Sequence, residues 1–99
     1  MATELQKALG EAKPTLVEMY RLGDEACEEM NSVVAEIRKS LGDRANVLQI
    51  DGSANQDIMR QYNVASYPAW LLFKDGAVAW RDYGRKSYGE LEHMVRDFI

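Results

Sequence analysis

Apolar residues along the chain fall either three or four positions apart, as on one face of a helix, or in short runs typical of buried strands. The longest helical stretch begins after Asp24, a preferred N-cap residue, and stops at Gly42, a common C-terminal signal. Its apolar face is formed by Cys27, Met30, Val33, Val34, Ile37 and Leu41. The spacing predicts a long amphipathic helix whose apolar face includes Cys27.

Short apolar runs mark the strands. A β-favouring segment, T-L-V-E-M-Y, follows Pro14, which ends a short first helix. Asp75-Gly76 is a two-residue hairpin signal, so the strands on either side of it are expected to be antiparallel. Ser87 and Glu90 form a capping box ahead of a last helix. The predicted strands cover residues 15–20, 47–50, 69–73 and 77–83.

A helical pairing of Ile58 with Tyr62 predicts one further helix and completes the order α-β-α-β-α-β-β-α. Because the sequence has no repeats, linkers or low-complexity segments, this order predicts one α/β domain that covers residues 1–99. Hydrophobic residues make up 46% of the chain and charged residues 28%, a balance that favours a folded core over disorder.

The net charge of −4 disfavours nucleic acids and anionic membranes as partners, because both require basic surfaces. No apolar run approaches the roughly 18 residues that span a bilayer. The first ten residues include Glu4 and Lys7 and lack the apolar stretch of an export signal. Together with the single cysteine, Cys27, these features predict a protein of the reducing cytoplasm.

Several segments resemble the thioredoxin family. Residues 16–20, L-V-E-M-Y, are similar to the strand before the W-C-G-P-C active site of that family. Residues 62–68, Y-N-V-A-S-Y-P, resemble its Y-x-V-x-S-x-P stretch, and residues 73–76, F-K-D-G, resemble its F-K-x-G hairpin. The resemblance implies a thioredoxin-like fold with three α/β/α layers, a central mixed sheet of four or five strands, and a cis bond between Tyr67 and Pro68.

The resemblance also implies a degenerate active site. Residues 24–27, D-E-A-C, stand where the family has C-G-P-C, with Asp24 at the attacking position and Cys27 at the resolving position. Disulfide exchange starts with attack by a thiolate, which a carboxylate does not provide, so Asp24 is expected to cap the helix instead. A single cysteine also rules out any catalytic cycle that passes through an internal disulfide.

Two interpretations of Cys27 stay open. In the first, it is a small buried apolar residue with an inert thiol, because Asp24, Glu25 and Glu28 oppose a thiolate beside them. In the second, it is a nucleophile, and Glu18, which corresponds to the buried acid of the family, accepts its proton. If Cys27 is inert, Glu18 is either a relic of that role or a side chain that points to solvent.

A groove beside the cis-proline offers a function that needs no thiol. The resemblance implies that the backbone of Tyr67 pairs with an extended peptide next to Pro68. Tyr20, Tyr67 and Trp70 are candidates for aromatic contacts in this groove. The alternative is that Tyr20 and Trp70 fill the core and Pro68 only shapes a turn, since alternation along the strand decides which side chains face outward.

These features support three hypotheses about function. The first is a binding or adaptor module that takes a protein or peptide partner in the groove of Tyr67 and Pro68. The second is a monothiol redox protein of cell redox homeostasis, in which Cys27 forms mixed disulfides with glutathione or a partner protein. The third is a variant that has lost function. None requires a cofactor or a metal ion, and His93 is expected to be a solvated side chain.

Overall fold

The computed structural model describes residues 3–99, and its elements follow the predicted order. The second strand, residues 46–51, extends one residue beyond the predicted apolar run at each end, because its polar end residues pair with the neighbouring strand. The elements are α1 (Thr3–Leu9), β1 (Thr15–Tyr20), α2 (Glu25–Leu41), a 3₁₀ turn (Gly42–Arg44), β2 (Asn46–Asp51), α3 (Gln56–Gln61), β3 (Ala69–Lys74), β4 (Ala77–Tyr83) and α4 (Tyr88–Arg96).

The four strands form one mixed sheet in the order β2-β1-β3-β4. Strands β1 and β2 are parallel, with Tyr20 opposite Asp51, whereas β3 is antiparallel to both β1 and β4. The predicted mixed sheet is therefore confirmed with four strands among the described residues. Because β1 and β3 run in opposite directions, the loop after β1 and the loop before β3 emerge at the same end of the sheet.

Helices cover both faces of the sheet, which confirms the three-layer α/β/α architecture. Residues from α1 and α3 pack on one face, and residues from α2 and α4 pack on the other. Side chains alternate along β3, so that Ala69 and Leu71 face the first layer while Trp70 and Leu72 face the second. Within residues 3–99, no helix combines the length and apolar character that crossing a membrane requires.

Helix α2 begins and ends as its sequence predicts. The Asp24 side chain accepts a hydrogen bond from the backbone N–H of Cys27, and Gly42 ends the helix with a left-handed φ of 56°. The backbone N–H of Gly42 donates to the carbonyl of Arg38. The capping box of Ser87 and Glu90 at the start of α4 is likewise present. These local signals place the first turn of α2, and with it Cys27, at the end of β1.

Candidate functional site

Three loops meet at the carboxyl end of β1: residues 21–24, residues 63–68 and the segment that follows β4. The backbone N–H of Gly84 donates to the carbonyl of Pro68 over 2.9 Å, and this bond joins the last two loops. The peptide bond between Tyr67 and Pro68 is cis, and Pro68 is buried. Loops positioned by a rigid sheet are the common location of binding and catalytic groups, so this end is the candidate site.

Asp24 is held by two hydrogen bonds at the N-terminus of α2. Its Oδ1 accepts from the backbone N–H of Cys27 at 3.0 Å, and its Oδ2 lies 3.1 Å from Nη2 of Arg21. The hydrogen bond from the Cys27 backbone, supported by the Arg21 guanidinium, lowers the pKa of Asp24. The structure therefore confirms Asp24 as a charged helix cap.

The thiol of Cys27 is shielded from solvent in the first turn of α2. The residue is 3% exposed, and burial, followed by the charges of Asp24 and Glu18, raises its pKa to about 11. A thiol with this pKa is a thiolate in roughly one molecule in ten thousand at pH 7. The thiolate is the nucleophilic form, so the environment of Cys27 suppresses its reactivity.

Glu18 lies inside the protein on β1 and is 1% exposed, so the alternative that it points to solvent is wrong. Its Oε1 accepts a hydrogen bond from Nε2 of Gln49 at 2.9 Å, whereas its Oε2 has no partner among the described residues. Burial raises the pKa of Glu18, and the hydrogen bond from Gln49 partly opposes that increase. The same Nε2 of Gln49 donates to Asn31 at the surface over 3.0 Å.

The ring of Tyr67 packs tightly against the loop after β2. A Cβ atom at Gly52 would lie 2.4 Å from Cε1 of Tyr67 and 2.9 Å from Sδ of Met59, so only glycine permits this packing without a shift. The guanidinium of Arg21 lies 5.2 Å from the ring centroid, within the range of a cation–π contact. Sequence reasoning missed Gly52 and Arg21, because nothing local links either residue to Tyr67.

The structure corrects the assignment of Trp70 to the groove. Its side chain is 0% exposed, packs in the layer of α2 and α4, and donates from Nε1 to the carbonyl of Gly84 at 2.8 Å. Alternation along β3 turns it away from the surface that Tyr67 lines. Tyr20 is half-buried and lines a cavity of about 150 Å³ together with Cys27 and other residues, apart from the cavity of Tyr67.

A larger cavity, of about 780 Å³, lies between α3 and the loop before β3. Tyr67, Arg60 and Asn63 contribute to its walls, and Met59 and Val64 provide buried apolar surface. The backbone groups of residues 65–67 form no hydrogen bond within the described part of the chain. Exposed donors and acceptors beside an open cavity are suited to pairing with an extended peptide.

The residues at this end of the sheet provide no evident metal site. Across residues 3–99, no group of three or more His, Cys, Asp or Glu side chains is placed to hold a metal ion. The site consists instead of a capped helix start, a buried carboxyl group and an open loop with unpaired backbone groups.

Comparisons with known proteins agree with this architecture. The thioredoxin family model, described as "Thioredoxin", matches residues 1–97. A thioredoxin from Mycolicibacterium smegmatis is 34% identical over 92% of this chain and 83% of that protein. The chloroplastic thioredoxin Y of Oryza sativa subsp. japonica is 31% identical over 88% of this chain, which spans only 52% of that protein. A solved mutant thioredoxin from Halobacterium salinarum NRC-1 shares the fold, with a TM-score of 0.90 and 23% identity over 99% of this chain and 85% of that one.

Proposed function

The chain belongs to the thioredoxin family, and we propose that within this family it is a binding module that performs no dithiol–disulfide exchange. The observation that carries the proposal is the state of residues 24–27. Asp24 is engaged as a helix cap at the position where the resemblance expects the attacking cysteine. The single thiol, Cys27, is buried and has a pKa raised to about 11. Dithiol exchange needs an attacking thiolate and a second thiol. The raised pKa of Cys27 disfavours the thiolate, and the chain has no second cysteine.

The ligand that we propose is an extended segment of a protein or peptide. Its backbone would pair with the free backbone groups of residues 65–67. Leu22, in the loop that precedes Asp24, is 76% exposed and offers an apolar contact near the same end of the sheet. Tyr67 is half-buried and contributes to the cavity wall. Backbone pairing would supply affinity, and the surrounding side chains would supply selectivity.

A second candidate function is a monothiol redox role, and the cavity of about 150 Å³ that reaches Cys27 favours it. In this mechanism Glu18 accepts the proton of Cys27, and the thiolate attacks a disulfide of glutathione or of a partner protein. A new bond forms between Cys27 and one sulfur, and the other sulfur leaves as a thiolate. The burial and raised pKa of Cys27 weigh against this mechanism.

Alkylation of Cys27 distinguishes the two candidates. The rate of reaction with iodoacetamide is measured between pH 6 and pH 10, in native buffer and in denaturant. The binding module predicts strong protection that unfolding removes, and a native rate that keeps increasing up to pH 10 without levelling off, because the pKa of Cys27 is about 11. A Cys27→Ser variant controls for reaction at other side chains. A native thiol that reacts as fast as the unfolded one would support the monothiol candidate instead.

A peptide-binding measurement tests the groove directly. Thiol-free peptides are selected from a random phage-displayed library and are then titrated against the protein and two variants. We expect Cys27→Ser to retain the affinity of the unmodified chain, because the thiol lies outside the proposed contact surface. We expect Tyr67→Ala to weaken binding. Equal binding by both variants, or selection of no peptide, would contradict the proposal.

A further inference from the structure

We infer that the cavity beside Tyr67 selects peptide segments that carry an acidic side chain, and that Arg60 is the residue that recognises it. This inference rests on the proposed binding function and names the chemistry of its partner. Three features support it: Arg60 lines the cavity, it forms no ion pair within residues 3–99, and Arg81 lies on the same side of Tyr67.

Arg60 lies in the last turn of α3 and lines the same cavity as Tyr67. Met59 and Val64 give this cavity a buried apolar lining, and Arg60 is an exposed cation that also lines it. An extended peptide that pairs with residues 65–67 would therefore pass within reach of a guanidinium group. The planar guanidinium binds a carboxylate through two parallel hydrogen bonds, which gives geometric selectivity as well as attraction.

Arg60 has no carboxylate partner among residues 3–99. Ion pairs in the described chain engage Lys13, Arg21, Arg85, Lys86 and Arg96. The chain has 16 acidic and 12 basic residues, so an unpaired arginine is not explained by a shortage of carboxylates. Its guanidinium is available to a ligand without the loss of an existing ion pair.

The charges on the two sides of Tyr67 differ. Arg21 lies over the Tyr67 ring, but Asp24 neutralises its charge at 3.1 Å. On the side of α3, Arg81 donates to the carbonyl oxygens of Tyr62 and Asn63 and forms no ion pair within the described part of the chain. Two arginines that form no ion pair within residues 3–99, Arg60 and Arg81, therefore lie on the side of α3, whose first turn also carries Asp57. Charge complementarity favours an acidic ligand residue there over a basic one.

An array of thiol-free decapeptides tests this inference. Each position is fixed in turn as glutamate or lysine, with the other positions randomised, and binding is measured with the intact chain. We expect one position at which glutamate is preferred over lysine by about fivefold to tenfold, as a charge-assisted hydrogen bond allows. The preference should fall as sodium chloride is raised from 50 to 500 mM, because salt screens exposed charges.

Variants assign the preference to one side chain. Arg60→Gln should remove it, and Arg60→Lys should retain part of it, because lysine keeps the charge without the planar fork. Lys39→Gln is the matched control: it removes one positive charge from an exposed position in the last turn of another helix. Circular dichroism confirms that each variant is folded before binding is compared.

The outcomes separate this inference from the function on which it rests. If no peptide binds, or if Tyr67→Ala binds as well as the unmodified chain, the proposed function fails and the inference fails with it. If peptides bind but glutamate and lysine are equivalent, only the acidic preference is overturned. A preference that persists in Arg60→Gln overturns the assignment to Arg60.

Discussion

The start of α2 and the loop before β3 lie at the same end of the sheet but differ in how completely their polar groups are satisfied. At the start of α2, Asp24 binds both the backbone of Cys27 and the side chain of Arg21, and the thiol is buried. In the loop, the backbone groups of residues 65–67 have no partners within the described chain. Buried groups with partners contribute to stability, whereas exposed groups without partners remain available to a ligand. The difference distinguishes a closed thiol region from an open loop, the region for which we propose peptide binding.

The largest effect that we predict is a difference in stability between variants of Trp70, a core residue of β3, and of Tyr67, in the open loop. Trp70→Ala should lower the free energy of unfolding by about 4 kcal/mol, because it leaves a large cavity and removes the hydrogen bond to Gly84. Tyr67→Ala should cost about 1 kcal/mol, because that ring is only half-buried. Urea unfolding of both variants gives the two values. Similar losses would show that Tyr67 is a core residue and would remove the contrast between the two regions.

Local signals in the sequence account for most of the fold. Asp24 and Gly42 mark the ends of α2, Asp75-Gly76 marks the hairpin, and the run at residues 15–20 matches β1. Each of these signals acts through neighbours a few residues apart, so one sequence is enough to identify it. The apolar run does not predict the polar ends of β2. These residues belong to the strand because they pair with β1, which the local sequence does not indicate.

The site was less predictable because its contacts join residues that are distant in sequence. Arg21 and Gly52 both contact Tyr67 from other loops, which only the sheet order brings together. The orientation of Trp70 depends on the phase of alternation in β3, and its segment has apolar residues on both faces. The resemblance to thioredoxins identified the cis-proline loop, but it gave no indication that Trp70 faces the other helical layer.

The next prediction concerns the pH dependence of stability that arises from Glu18, on the strand that leads to the start of α2. Burial raises the pKa of Glu18 above its value in the unfolded chain. Its contribution to stability is therefore fully present below the unfolded pKa and is lost as the pH rises through the folded pKa. Glu18→Gln removes this ionisation and keeps an acceptor for Gln49. We expect the variant to exceed the unmodified chain in stability by roughly 1–3 kcal/mol at alkaline pH, since an ionised buried group with an unpaired oxygen is costly.

Unfolding in urea at pH 4 and at pH 9 provides the measurement. The two proteins should be nearly equal in stability at pH 4, where Glu18 is protonated in the native state. Ser66→Ala, an exposed change in the open loop, serves as a control and should show no comparable dependence on pH. A stability difference that is the same at both pH values would mean that the Glu18 carboxyl does not ionise across this range.

The smallest predicted effect on stability tests whether the Tyr67 ring, in the open loop, can move. In Gly52→Ala the new Cβ would lie 2.4 Å from the Tyr67 ring, so the ring has to move. Overpacking in a rigid site costs roughly 1–3 kcal/mol. Because Tyr67 is half-buried, its ring can rotate toward solvent, and we expect a loss below about 1 kcal/mol. The movement should also weaken peptide binding, because it changes the wall of the cavity.

Nuclear Overhauser contacts between the Tyr67 ring and the Met59 methyl group report the movement independently of any ligand. They should weaken in Gly52→Ala and persist in Gly89→Ala, where the added methyl group meets nothing within 4 Å. If the contacts persist in Gly52→Ala while stability falls by 2 kcal/mol or more, the ring is held as firmly as a core side chain. The loop before β3 would then be rigid like the start of α2, and the distinction between an adjustable binding region and a fixed thiol region would fail.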